Sequence, residues 1–193
     1  MMEDGTGNSP QKEMFPVKPC YGTLIIKFIA ILFGLLYFLQ AHGETLNGRV
    51  IKVLDGDTVT IVDSSSGQHR IKIMGIDAPD RYQTFGGRAH QNLSAMVFNR
   101  EVEIELSMRD RTGLAFGKVM VAPQDSQCLQ INCQKTVDTG LEQIKAGLAW
   151  WTRMKAQTAE DSAKYGQAEF SAKIHRIGLW SETNPVPPWK WPH

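Results

Sequence analysis

Between residues 48 and 76 apolar and polar side chains alternate almost without a break, and a period of two commits this part of the chain to strands. Residues 48–54 alternate, residues 57–62 continue the pattern, Ser64-Ser-Ser-Gly67 is a turn signal, and residues 69–76 alternate again with Ile71 and Ile73 toward a core. The expectation is a three-strand meander. Its oddity is the stretch Val53-Leu-Asp-Gly-Asp-Thr-Val59, which puts two carboxylates and a glycine where strand propensity disfavours both.

Beyond the meander the period changes. Ala89, Leu93, Met96 and Val97 recur at helical spacing over residues 88–98, after Gly86-Gly87 and before Asn99. Residues 101–106 are a strict period-two strand, with Glu101, Glu103 and Glu105 as its wet face, and residues 116–121 form a fifth strand. Residues 122–138 read as a polar loop. Leu141, Ile144 and Leu148 mark a second helix. Thr158 is placed to cap a third, with Glu160 and Asp161 in its first turn, and its apolar stripe is expected to include Ala163, Phe170, Ile174 and Ile177 before Gly178 ends it. The proline-rich tail of residues 184–193 cannot be regular. Five strands, one helix after the third and two more at the end predict an α+β, mainly β fold. It is a five-stranded closed barrel of the OB type with three packed helices.

The N-terminus stands apart. Residues 28–39 are a 12-residue apolar run preceded by Lys18 and Lys27 and followed by Ala41-His42-Gly43, small at the two places a signal peptidase reads. A cleaved signal is expected, giving a periplasmic or extracellular protein; anchoring by residues 23–39 is the alternative. A start at Met14 would remove the polar, acidic residues 1–13. The organisation expected is residues 1–43 as signal or anchor, 44–181 as the barrel domain and 182–193 as a Pro/Trp-rich tail. Residues 1–43 carry three lysines and three acids, so the remainder keeps the formal charge of +1 and has no global field that draws in a polyanion. Cys128 and Cys133 are expected to pair as a disulfide in an exported chain, with two free thiols as the other reading. The five histidines are scattered without zinc-ligand spacing.

Asp57 and Asp77 lie at strand ends, with Asp55 and Asp80 beside them. Such a cluster suits a hard cation, because neighbouring carboxylates repel unless one neutralises them. Asp, Gly and Pro are also the ordinary residues of turns, and that reading stands beside the first. The helix–loop calcium pattern is absent. Taken together, Val53-Leu-Asp-Gly-Asp-Thr-Val59, Ile73-Met-Gly-Ile-Asp-Ala-Pro-Asp80, Gly147-Leu-Ala-Trp-Trp151, and Gly178-Leu-Trp-Ser181 before Pro187-Pro-Trp189 resemble the staphylococcal nuclease (thermonuclease) family, from about Leu46 to Trp189.

That resemblance implies an exported, Ca2+-dependent phosphodiesterase, with Mg2+ as a possible substitute. It would cut single- or double-stranded DNA and RNA with little sequence preference, as a monomer without a stable protein partner. The implied metal ligands are Asp57, Asp77 and the carbonyl of Ala78. The family's general-base Glu falls on Asp80, one methylene shorter, and its first phosphate-binding Arg falls on Lys72, which keeps charge but loses the bidentate fork. Arg70, two residues earlier on the same strand face, is a possible substitute. The second catalytic Arg falls on Leu114 within Asp110-Arg-Thr-Gly-Leu114, and Thr112 stands where the family has a Tyr. Arg111, Arg109 and Lys118 are the cations nearby in sequence. Losing a preorganised donor of this kind costs ~10²–10³ in rate. Trp150 and Trp151 could stack bases but are expected to pack on the barrel, with Arg153 and Lys155 following, while Trp180, Trp189 and Trp191 pin the tail. The expectation is therefore a weakened nuclease; the alternative is a catalytically inactive barrel of the same type that binds nucleic acid or a protein partner.

Overall fold

The computed structural model describes residues 44–124 and 133–192. The expected N-terminal signal, the choice between Met1 and Met14, and Cys128 lie outside the described residues.

The alternating segments form the expected meander, except that the third strand stops at Ile73, where a turn with Gly75 at positive φ breaks the alternation expected to run to Ile76. β1 (Thr45–Val53), β2 (Thr58–Val62) and β3 (Gln68–Ile73) are an antiparallel meander, and Thr58 sits opposite Lys72. After the two-residue strand β4 (Ile76–Asp77) and helix α1 (Gly86–Val97), β5 (Glu101–Arg109) pairs with β1 and β6 (Ala115–Val121) pairs with β5. The sheet closes where β6 runs parallel to β3, with Ile71 level with Ala115 and Lys72 with Phe116. Closure removes both edges of the five-stranded sheet and leaves a barrel. Its interior holds Val50, Val59, Ile61, Ile71, Val102, Ile104, Ala115 and Val119, all fully buried. The next positions along each strand face outward, as a period of two demands.

β7 (Val137–Asp138) adds to β6 and leads into α2 (Thr139–Lys145), whose first turn is capped by Asp138 accepting from the N–H groups of Gly140 and Leu141. α1 buries Ala89, Leu93 and Val97, one face at helical spacing. Trp150 and Trp151 form β8 and pair with β4, so Asp77 lies opposite Trp150. They are strand residues, and Trp151 packs against the core. Leu148 lies past the end of α2, which stops at Lys145.

α3 (Ala159–Ile174) starts at Thr158 as expected, but it packs with its other face. Tyr165, Ala168 and Ala172 are buried, while Ala163, Phe170 (64% exposed), Ile174 (60%) and Ile177 (40%) face outward. Residues two apart on a helix point about 200° apart, so Ala168 and Phe170 cannot both face the barrel. The Tyr165 face wins because its hydroxyl ties α3 to the start of α2: it donates to Asp138 at 2.9 Å and lies 2.9 Å from where a Cβ on Gly140 would stand, while Ala168 and Ala172 on the same face are small.

The two glycine–leucine motifs meet. Gly147 and Gly178 both have positive φ and lie so close that a Cβ on Gly147 would overlap the Ile177 carbonyl and one on Gly178 the Gly147 carbonyl. Leu179 N–H donates to the Gly147 carbonyl at 2.8 Å, at the start of the 3-10 turn Gly178–Ser181. This contact sets Trp180 edge-on to Trp150, with ring centroids 5.6 Å apart.

Candidate active site

The Asp55-Gly-Asp57 turn joins β1 to β2 and is held from below. Gly56 is buried; a Cβ there would lie 2.5 Å from the Ala89 Cβ and 2.7 Å from the Ala78 Cβ, so only glycine fits. Its carbonyl accepts from Nε2 of Gln143, which also donates to the Ala89 carbonyl at 2.9 Å, while Oε1 of Gln143 accepts from Asn92 at 2.6 Å. Gln143 is fully buried with its amide satisfied on both sides. A polar residue in a short helix carries no sequence signal for this clamp; only the fold brings residue 143 under residue 56.

The turn aims Asp57 into the protein. Asp57 is 2% exposed, and its backbone N–H donates to Asp55 Oδ1 at 3.0 Å. Asp57 Oδ1 accepts from the Thr58 hydroxyl at 2.8 Å, and Oδ2 accepts from the Ala78 N–H at 2.9 Å. β3 and β4 bring the other two members. Lys72 Nζ lies 3.0 Å from Asp57 Oδ2 and 3.0 Å from Asp77 Oδ1. Sequence separations of 15 and 5 residues are thus folded into one cluster of Asp57, Lys72, Asp77 and Ala78. Ala78 contributes an N–H to Asp57.

Electrostatics follow from this packing. Burial pushes the Asp55 carboxyl up to about 6, and the negative charge of Asp57 pushes in the same direction. Burial also raises Asp77, against the opposing pull of Lys72 and with help from Asp57. Burial alone would lower the Lys72 ammonium, but the two carboxylates outweigh it and hold it above the usual lysine range.

The remaining candidates are spread more widely. Asp80 follows Asp77 and Ala78 in a tight turn, where its N–H donates to Gln83 Oε1 at 3.2 Å and its carbonyl accepts from Gln83 N–H at 2.8 Å. Arg70 is exposed on β3, two residues from Lys72 and therefore on the same face. The parallel register that levels Ile71 with Ala115 puts Arg70 beside Leu114. Thr112 and Arg111 are exposed in the β5–β6 hairpin, where Asp110 Oδ1 accepts from the Thr112 N–H, the Thr112 hydroxyl and the Leu114 N–H. Lys118 is drawn toward α3, 2.9 Å from Asp161 and 3.6 Å from Asp138. Cys133 belongs to a disulfide; its expected partner Cys128 is outside the described residues. Two aromatic side chains that the sequence pattern does not single out follow Asp80 in the chain. Tyr82 is 91% exposed just past Asp80, and Phe85 takes positive φ to start α1 with the Arg88 guanidinium over its ring at 5.1 Å.

Asp57 and Asp77 are hard oxygen donors that converge on one cationic position, the chemistry that Ca2+ or Mg2+ requires. They fit a divalent ion by donor type, although an ammonium stands where the two carboxylates meet. Among the described residues no group of three or more His, Cys, Asp or Glu gathers in metal-binding geometry, so further ligands would have to be main-chain oxygens, water or substrate.

The family model for staphylococcal nuclease homologues matches residues 70–182. The chain is 35% identical over 146 residues to a protein named micrococcal nuclease from Shigella flexneri, covering 75% of this chain and 79% of that one. It is 33% identical over 150 residues to Protein ParB of Escherichia coli, covering 76% and 78%. It is 32% identical over 168 residues to a protein named uncharacterized endonuclease from Haemophilus influenzae, covering 87% and 84%.

Proposed function

Since the chain belongs to the staphylococcal nuclease homologue family, we propose that it is an exported, divalent-cation-dependent endonuclease that hydrolyses the phosphodiester bonds of DNA and RNA. The observation that carries this reading is the convergence of Asp57 and Asp77 on one cationic position inside a chain whose relatives are named nucleases. Asp57 and Asp77 would hold Ca2+, or Mg2+ in its place, which when bound supplies Lewis acidity toward a phosphate oxygen. Lys72 and Arg70, on one face of β3, neutralise and position the phosphate. Asp80 takes a proton from the attacking water, with a side chain that reaches one methylene less far than a glutamate. Export is supported by the apolar run at 28–39 and by a disulfide at Cys133, a bond that persists in oxidising compartments.

Turnover is expected to be weak, because Leu114 offers no cation to the developing charge on the phosphoryl group. A second reading, a nuclease-like barrel that binds without cutting, is favoured by that same half-buried Leu114 and by an ammonium already satisfied by two carboxylates.

Purified protein incubated with single-stranded DNA or RNA in Ca2+, Mg2+ or chelator separates the two. Cleavage that stops in chelator and is lost in Asp57→Ala supports the nuclease. Leu114→Arg should raise the rate by ~10²–10³ if the missing donor is what limits it. No cleavage by either protein, with retained binding to the oligonucleotide, would favour the second reading.

A further inference from the structure

The geometry points to Lys72 as a tethered cation that competes with divalent metal for the space between Asp57 and Asp77. This inference rests on the cation-dependent reading of the site given above, and it concerns how a metal gains entry.

The members of this cluster are not equally free to move. Asp57 is fixed: the Thr58 hydroxyl and the Ala78 N–H occupy one oxygen each, and only 2% of the residue is exposed. Lys72 is the mobile member, since its side chain is 31% exposed and reaches the carboxylates through a flexible four-carbon stem. Nζ makes one contact of 3.0 Å with each carboxylate and thereby bridges the oxygens that a divalent ion would share. Both cannot occupy that point. An ammonium neutralises half the charge of the pair, whereas a divalent ion neutralises all of it. Binding therefore exchanges one cation for a stronger one, with Lys72 displaced toward the open face of β3 where Arg70 stands.

The consequence is a lowered metal affinity and a lysine whose exposure depends on metal. Removing the charge while keeping the shape, in Lys72→Met, should tighten Ca2+ binding by about tenfold or more, equivalent to about 1.4 kcal/mol. Calorimetric titration of the full chain with Ca2+ reads this directly, and Lys72→Met/Asp57→Asn should lose the gain. A second measurement needs no variant. Brief acetylation of the wild-type protein, read by peptide mass spectrometry, should modify Lys72 several-fold faster in Ca2+ than in chelator.

If wild type binds Ca2+ and cleaves, but Lys72→Met binds no tighter and Lys72 acetylation ignores Ca2+, the competition is refuted while the nuclease reading stands. If Lys72→Met gains affinity and neither protein cleaves, the competition holds and the nuclease reading falls. Absence of Ca2+ binding in both proteins overturns the competition and the metal-dependent reading together.

Discussion

Each carboxylate of the Asp55-Gly-Asp57 turn has a distinct role. Asp57 is the one aimed at the cationic position, and Asp55 is the one that holds the turn through its bond to the Asp57 N–H. Asp55 is half-buried beside a like charge, and its carboxyl rises to about 6 in the folded protein from about 3.9 in an unfolded chain. The native state binds this proton more tightly than the unfolded state does. Stability is thus greatest below the unfolded value and declines as pH rises from about 4 through about 6. Asp55→Asn keeps an oxygen to accept from Asp57 and removes the charge. Thermal unfolding should show the variant a few degrees more stable than wild type near neutral pH and indistinguishable from it near pH ~4. A variant that gains nothing at neutral pH would mean that Asp55 is not held against its charge.

The elements were legible in the sequence where a single period governed them, and illegible where packing distance did. The three strands of the meander follow from alternation because one face of each is inside a closed barrel. Asp57 and Asp77 stood out because carboxylates at strand ends need a partner. That the partner would be Lys72 did not follow, since it depends on the register that sets Thr58 opposite Lys72. Gln143 was invisible for the same reason, being polar in sequence and buried only by the fold. On α3 the larger apolar residues point to the wrong face, because their hydrophobicity carries no trace of the close approach that the Tyr165–Asp138 bond imposes. This correction has a direct test. Phe170→Lys and Ile174→Lys should each change unfolding free energy by no more than about 0.5 kcal/mol, as ordinary surface substitutions do. Ala172→Leu on the opposite, buried face should cost about 1–3 kcal/mol by overpacking. Chemical denaturation of the three variants would expose a reversed order at once.

At the scale of the whole molecule, the tail is wired to the candidate site. Trp150 lies opposite Asp77 in the small β4–β8 sheet, and its ring meets both Trp180 at 5.6 Å and Trp189 at 6.2 Å, each edge-on. Lys173 closes the other side, with its ammonium 4.4 Å from the Trp180 ring centroid. The second link runs through Gln83, whose N–H and Oε1 brace the Asp80 turn while its Nε2 donates to the Val186 carbonyl. The C-terminal residues therefore support both halves of the candidate machinery, the strand that carries Asp77 and the turn that carries Asp80. A chain ending at Ser181 loses the Trp189 edge contact and two hydrogen bonds to the body, Gln83 Nε2 to the Val186 carbonyl and the Glu182 N–H to the Leu179 carbonyl, together worth about 2–4 kcal/mol. For a domain of this size that corresponds to a fall in melting temperature of ~2–4 °C per kcal/mol. Function should suffer more than stability does, because the freed turn lets Asp80 move relative to Asp77, and a base must stand within hydrogen-bond reach of its water. Trp189→Ala, which spares the Gln83–Val186 bond, should share the loss of stability but keep more of the cleavage rate than the truncation. Measuring melting temperature and cleavage rate on both proteins decides the matter: equal rates in the two would mean that Gln83 does not transmit the tail to Asp80.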